Sequence, residues 1–114
     1  MPNGEVVPQA FWNCLEEQTG EDIAQVVVGF SQISRDATRK LLNWYNSLSQ
    51  ESKAVLGALS ALGGFALNNT LRKAAFTLGI VEIGAPLIAL LLGLAAGVGW
   101  GSTIDAFFQC ENLL

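Results

Sequence analysis

The sequence predicts an all-α fold, a small bundle of about six helices in which amphipathic N-terminal helices surround an apolar C-terminal helical hairpin. Three observations favour this fold class. In the first half, apolar residues recur at helical spacing, which marks one face of each helix for a core. Serine residues suited to capping helices precede two of these segments. In the second half, glycine and alanine recur every fourth residue, which indicates close helix packing.

Composition divides the chain into a polar part and an apolar part. Hydrophobic residues make up 51% of the 114 residues and charged residues only 14%, whereas soluble domains carry about 25% charged residues. Most of the charges precede Ala54. The length suits one domain, which we divide into an amphipathic polar half (residues 1–53), an apolar hairpin (54–104) and a short terminal helix (105–114).

The charge balance and the missing residue types exclude several function classes. The net charge is −4, with six basic residues and no histidine. Nucleic-acid binding needs a patch of lysine and arginine, so we expect no nucleic-acid partner. A cationic lytic peptide is excluded for the same reason. Without histidine the usual general base and metal ligand are missing, and no phosphate-binding glycine motif occurs. We therefore predict a non-enzymatic protein without cofactor or metal.

The first fifty residues predict three short amphipathic helices. After Pro8, the side chains of Phe11 and Leu15 share one face, and Gly20 ends the helix. A second apolar stripe at helical spacing comprises Ile23, Val26, Val27, Phe30 and Ile33. The run Val26–Val28 has strand propensity, so a short extended piece is the alternative there.

Ser34 is predicted to cap the third helix, in which Asp36 and Lys40 form an i,i+4 ion pair. Residues 49–52 then supply the capping region for the first apolar segment.

The first apolar segment, Ala54–Leu67, carries no charge. Gly57, Ala61 and Gly64 lie at i, i+4 and i+7, and small residues at this spacing let another helix approach closely. The polar residues Asn68–Thr70 are predicted to end this helix and to cap the next one.

The second apolar segment is long enough to suggest a transmembrane helix. The 22 residues Ile83–Ile104 carry no charge and would span about 33 Å as a helix, close to the ~30 Å hydrocarbon core of a bilayer. Pro86 suits the first turn of that helix. A helix that starts there has only about 15 to 18 apolar residues, which also suits a buried helix. Ser102 and Asp105 resemble a capping box and predict the start of the terminal helix.

A row of small residues runs along the second apolar segment. Ala89, Gly93, Gly97 and Gly101 are spaced four apart, so they form one stripe on a helix. Each glycine inside a helix costs about 1 kcal/mol relative to alanine, so helix packing must offset the loss. This glycine zipper predicts a close-contact seam. Its partner is either the segment Ala54–Leu67, which would form the hairpin, or a second copy of the protein.

Two further features have two interpretations each. Glu82 is the only charged residue between Lys73 and Asp105. It is either a pH-sensitive carboxylate in an apolar setting or a solvated residue in a turn. Cys14 and Cys110 are either bonded, which would tie the ends of the chain and imply an oxidising compartment, or two buried thiols.

Two functional hypotheses follow. The first is a membrane-associated or membrane-inserting helical protein that assembles into homo-oligomers through the glycine row and forms a pore or channel. It would be located in a membrane, or secreted and membrane-targeting, although no signal peptide is visible. Its general plan is similar in architecture to the channel domains of pore-forming colicins and to apoptosis-regulating helical bundles, without a shared motif.

The second hypothesis is a soluble all-helical interaction module. In it, the apolar helix forms the centre of the bundle, and the acidic face Glu16–Asp22 contacts a protein partner.

Overall fold

The computed structural model describes residues 6–114, which contain seven α-helices and two short 3-10 helices. The Cα radius of gyration is 13.0 Å, close to the ~13 Å of a compact domain of about 100 residues. The predicted all-α fold class is confirmed. The helices are α1 (Gln9–Thr19), α2 (Ile23–Val26), α3 (Arg35–Asn46), α4 (Gln50–Leu62), α5 (Gly64–Leu78), α6 (Ala85–Val98) and α7 (Trp100–Gln109), with 3-10 helices at Phe30–Gln32 and Glu111–Leu113.

Local signals place most helix ends in the N-terminal half. α1 ends immediately before Gly20, as predicted. The Ser34 hydroxyl accepts a hydrogen bond from the Ala37 backbone N–H at 3.2 Å and so caps α3. Within α3, the Lys40 Nζ lies 3.3 Å from the Asp36 carboxylate, which confirms the predicted pair. These ends depend only on neighbouring residues, so the sequence alone indicates them.

The second predicted helix is shorter than its apolar stripe suggested. α2 ends at Val26 because Val27 adopts an extended conformation, with φ −143° and ψ 131°. The chain then enters the 3-10 helix Phe30–Gln32. The prediction of one helix through Ile33 is therefore wrong, and of the alternative extended piece Val26–Val28 only Val27 is extended, since Val26 is helical and Val28 lies in a turn.

The core is built around α6. Its side chains Leu87, Leu90, Leu91 and Leu94 are buried, and the helix packs against α5, α7 and α2. α1 closes the opposite side of α7, where the Phe11 and Phe107 rings meet edge to face at 5.6 Å. The disulfide between Cys14 and Cys110 joins α1 to the residue that follows α7.

Three boundaries in the apolar half differ from their predictions. The first helix break falls at Gly63, whose φ of 125° and ψ of 161° separate α4 from α5. Asn68–Thr70 lie inside α5, because their side chains bond within the helix: Asn68 Oδ1 accepts from Arg72 Nε and Thr70 Oγ1 donates to the Ala66 carbonyl. The third concerns α7, which begins at Trp100 without a side-chain cap, so the predicted cap at Ser102 is wrong.

The long uncharged run Ile83–Ile104 does not form one transmembrane helix. It is divided into the end of the turn 81–84, the 14-residue helix α6, Gly99 and the first half of α7. Among residues 6–114, no helix combines the length and the apolarity needed to cross a bilayer. The predicted pairing of the two apolar segments also differs, because α4 packs on α5 and α7 while α6 packs on α5, α7 and α2.

Candidate functional site

The junction of α4 and α5 exposes large apolar side chains. Leu62 and Phe65 are each 80% exposed, and Val55, two turns earlier on α4, is 56% exposed. Ala58 and Ala61 are also exposed on α4. We call these five residues the corner surface. Exposed apolar patches on a folded domain mark sites that bind a protein or a membrane.

The buried inner sides of α4 and α5 explain why the corner-surface residues face outward. Leu56 of α4 and Leu67 and Leu71 of α5 are buried in the core. The outer faces of α4 and α5 must therefore be exposed, and such faces are normally polar. Here no charged residue occurs between Lys53 and Arg72. Over residues 54–71 the sequence thus produces an uncharged outer surface on helices that are fixed to the bundle by their inner leucines.

Along the sequence, cationic residues border the corner surface on both sides, although the protein as a whole is acidic. Lys53 lies at the start of α4, with its Nζ 5.4 Å from the centre of the Tyr45 ring. Arg72 and Lys73 are exposed on α5. No carboxylate of residues 6–114 forms a salt bridge with either of them. Between Glu51 and Glu82 the sequence contains only these three charged residues, and all three are positive.

A second exposed apolar group lies at the far end of α5. Phe76 is 78% exposed, and Val81 and Ile83 in the following turn are 52% and 47% exposed. Phe65, Arg72 and Phe76 share one helical face of α5, because they are spaced i, i+7 and i+11. The outer side of α5 therefore carries exposed aromatic rings on both sides of its cations.

A groove follows the contact between α5 and α6. Its volume is about 260 Å³, and its lining comprises Asn68, Arg72, Ala75, Val81, Ala85, Ile88, Ala89 and Leu92. The residues from α6 recur at i, i+3, i+4 and i+7, and those from α5 at i, i+4 and i+7, so one face of each helix forms a wall. Arg72 thus belongs to both the cationic border and the groove.

Two positions of the predicted glycine row have close neighbours in the same chain, although Gly97 is still exposed. A Cβ added at Gly93 would lie 2.5 Å from Val26 Cγ1, and one at Gly97 would lie 3.2 Å from a Glu21 carboxylate oxygen. The close partner of these two glycines is therefore the α2 region of the same chain. Ala89 and Gly101 are exposed.

The small residues of the first apolar segment are open to solvent. Gly57, Ala61 and Gly64 are all exposed, and a Cβ added at Gly57 or Gly64 would have no neighbour within 4 Å among residues 6–114. The structure therefore does not bring these residues together with Gly93 and Gly97. The two rows of small residues lie on different surfaces: the first is open on α4 and α5, and the second meets α2 at Gly93.

The remaining predicted residues have clear positions. Glu82 is exposed in the turn 81–84, which is the position expected if it is a solvated residue in a turn. Cys14 and Cys110 form a disulfide with the sulfurs 2.02 Å apart, so the structure supports the bonded interpretation over that of two buried thiols. In the described part of the chain, no cluster of residues suited to a metal ion occurs.

Part of the acidic face predicted to bind a partner has a structural role. The Glu16 carboxylate accepts a hydrogen bond from the Ile23 backbone N–H at 3.0 Å, which connects α1 to α2. Asp22 accepts from the Ala24 backbone N–H at 3.0 Å and caps α2. These two carboxylates stabilise the α1–α2 junction, as N-terminal caps commonly do.

The chain matches no protein-family model, no curated protein and no solved structure.

Leu62, Phe65 and Arg72 were not singled out as site residues from the sequence. The available signal was the missing charge between Lys53 and Arg72, because an amphipathic helix normally carries polar residues on its outer face.

Proposed function

We propose that this protein is a non-enzymatic, membrane-associated protein that binds a lipid surface through its corner surface. The observation that carries the proposal is the 80% exposure of both Leu62 and Phe65 at the junction of α4 and α5, within the uncharged segment 54–71. Burying a leucine or phenylalanine side chain is worth about 1.5–3 kcal/mol. Transfer of these two side chains from water into the acyl boundary of a bilayer would supply most of the binding free energy.

The charge distribution supports the same orientation. Lys53, Arg72 and Lys73 border the apolar residues, and no acidic residue lies between Glu51 and Glu82. A basic residue near an anionic membrane surface contributes about 1 kcal/mol. The acidic residues Glu17 and Asp22 lie in α1 and at the start of α2, outside α4 and α5. The protein therefore presents its positive, apolar side to anionic lipid headgroups.

Self-association on the membrane is the second part of the proposal. Gly57 and Ala61 of α4 are exposed and four residues apart, and Ala61 also belongs to the corner surface, so the α4 helix of a second copy would approach closely beside the lipid-binding side chains. Gly93 and Gly97 are occupied by the protein's own Val26 and Glu21. The homo-oligomeric seam is therefore assigned to α4 in place of α6.

The disulfide supports a location outside reducing compartments. Cys14 and Cys110 are bonded across 96 residues of sequence, and such bonds persist mainly in secreted, periplasmic or cell-surface proteins. We assign the protein to the surface of a membrane that faces an oxidising compartment.

Vesicle flotation tests the proposal. We expect the protein to float with vesicles that contain anionic phospholipid and to bind neutral phosphatidylcholine vesicles more weakly. The Leu62→Asn/Phe65→Asn variant should lose binding by about tenfold or more, because both apolar anchors are removed. The control is Val28→Asn, which replaces an apolar side chain that is 94% exposed but lies outside α4 and α5. Binding that is equal in all three proteins would contradict the proposed surface.

The second candidate function is a soluble interaction module. It is favoured by one observation, the burial of Leu90 and Leu94 at the centre of the bundle, where both side chains are fully inaccessible. Size-exclusion chromatography with and without vesicles separates the candidates. A monomer that elutes unchanged in the presence of anionic vesicles would favour a protein partner and reject the membrane proposal.

A further inference from the structure

The groove between α5 and α6 has an apolar part and a polar part. Its apolar wall comprises Ala75, Val81, Ala85, Ile88, Ala89 and Leu92, and its polar lining consists of Asn68 and Arg72. Because α5 and α6 are consecutive and packed together, Ala75, Val81 and Ala85 lie at the turn between them. Asn68 and Arg72 lie one to two turns of α5 further from that turn. The α6 side of the groove is therefore apolar, and its α5 side carries the two polar residues.

The polar pair is arranged to donate hydrogen bonds. Arg72 Nε donates to Asn68 Oδ1 at 3.1 Å, which fixes the guanidinium group and uses the only acceptor of the amide side chain. The two Nη atoms of Arg72 and the Nδ2 atom of Asn68 have no hydrogen-bond acceptor among residues 6–114. All of these atoms are donors. An anionic head group with two or three acceptor oxygens complements them in charge and in hydrogen bonding.

We infer that this groove binds a single-chain anionic amphiphile of the fatty-acid class. The carboxylate lies on Arg72 and Asn68, and the acyl chain follows the apolar wall toward Val81. The volume of about 260 Å³ is just below the ~300–1,000 Å³ range of ligand sites, and it therefore suits one short acyl chain better than the two chains of a phospholipid. The groove shares Arg72 with the cationic border but contains none of the five residues of the corner surface, so decanoate binding without vesicles tests it separately.

Titration with decanoate, below its micelle concentration and without vesicles, tests the inference. Saturable binding is expected in isothermal titration calorimetry, with amide shifts in NMR spectra that are confined to α5, α6 and their turn. Arg72→Met should weaken binding about tenfold, the size of one charge-assisted hydrogen bond. The matched control is Lys73→Met, which removes the neighbouring charge of α5 but does not line the groove. It should bind decanoate within about twofold of the wild type.

The apolar part of the groove has its own variant. Ala89→Leu fills the groove from an exposed position of α6, and leucine preserves the helix because its helix propensity is close to that of alanine. We expect this variant to lose decanoate binding while it keeps the wild-type circular dichroism spectrum. The Leu62→Asn/Phe65→Asn variant should bind decanoate like the wild type, so this inference and the vesicle proposal fail or succeed separately.

Two outcomes would overturn the inference. Decyltrimethylammonium has the same chain and a cationic head, so binding as tight as that of decanoate would mean that Arg72 does not select the head group. Equal weakening by Arg72→Met and Lys73→Met would reduce the effect to long-range charge. Two results together would support the inference. Ala89→Leu should lose all decanoate binding, and of the two charge variants only Arg72→Met should bind decanoate more weakly than the wild type.

Discussion

At the scale of single residues, the contact between α2 and α6 depends on the missing side chain of Gly93. A Cβ there would lie 2.5 Å from Val26 Cγ1, whereas a Cβ at Gly57 of α4 would have no neighbour within 4 Å. Both glycines are in helix interiors. A glycine-to-alanine substitution therefore meets a close neighbour at Gly93 and open space at Gly57, so the two positions form a matched pair.

We expect Gly93→Ala to lower the free energy of unfolding by up to about 2 kcal/mol. Overpacking costs ~1–3 kcal/mol and outweighs the ~1 kcal/mol gained from the higher helix propensity of alanine. Gly57→Ala should raise the same free energy by about 0.5–1 kcal/mol, because only the propensity gain applies. Urea unfolding followed by circular dichroism measures both. Equal stabilisation by the two substitutions would show that α2 does not pack over Gly93.

At the scale of elements, the corner between α4 and α5 depends on Gly63. Its φ of 125° and ψ of 161° lie in a backbone region that is essentially restricted to glycine, and other residues held there cost about 1–3 kcal/mol. Gly63→Ala should therefore destabilise the protein by that amount in urea unfolding. Gly64→Ala is the control, because Gly64 is the first helical residue of α5 and has open space around it. A similar loss in both variants would place the strain elsewhere.

The elements also show which information the sequence contains and which it lacks. The caps at Ser34 and the end of α1 at Gly20 were predictable, because each depends on residues within one turn. The polar run Asn68–Thr70 was misread as a helix break, since side chains that bond within their own helix have the composition of a loop. Gly63 was not identified as the break, because glycine is frequent throughout this segment and the sequence does not show which glycine turns the chain.

The candidate site depends on information at a longer range. The sequence predicted close helix contacts at Gly93 and Gly97, and both glycines do have close neighbours. It did not predict that the neighbours are Val26 and Glu21, because a small-residue stripe describes a surface without naming its partner. The exposure of Phe65 follows only from the packing of the whole bundle. Periodicity assigns a residue to a helix face, and tertiary packing decides whether that face is covered.

At the scale of the whole molecule, the disulfide holds the two ends of the bundle together. Cys14 and Cys110 are separated by 96 residues, so the bond greatly restricts the unfolded chain. We expect the Cys14→Ala/Cys110→Ala variant, or the reduced wild type, to lose about 2–5 kcal/mol of unfolding free energy in urea. Dithiothreitol should not change the stability of the double variant, which provides the control. If the double variant is as stable as the oxidised wild type, the helix contacts alone determine the stability.

The same variant separates stability from vesicle binding. α4 and α5 are attached to the bundle by the buried side chains Leu56, Leu67 and Leu71, and the disulfide bonds neither helix. Below its unfolding transition, the double variant should therefore float with anionic vesicles as the wild type does. Tighter vesicle binding after loss of the bond would mean that the bundle opens at the membrane and exposes more than the corner surface. The inner leucines of α6 would then enter the lipid, and the disulfide would limit insertion in addition to stabilising the fold.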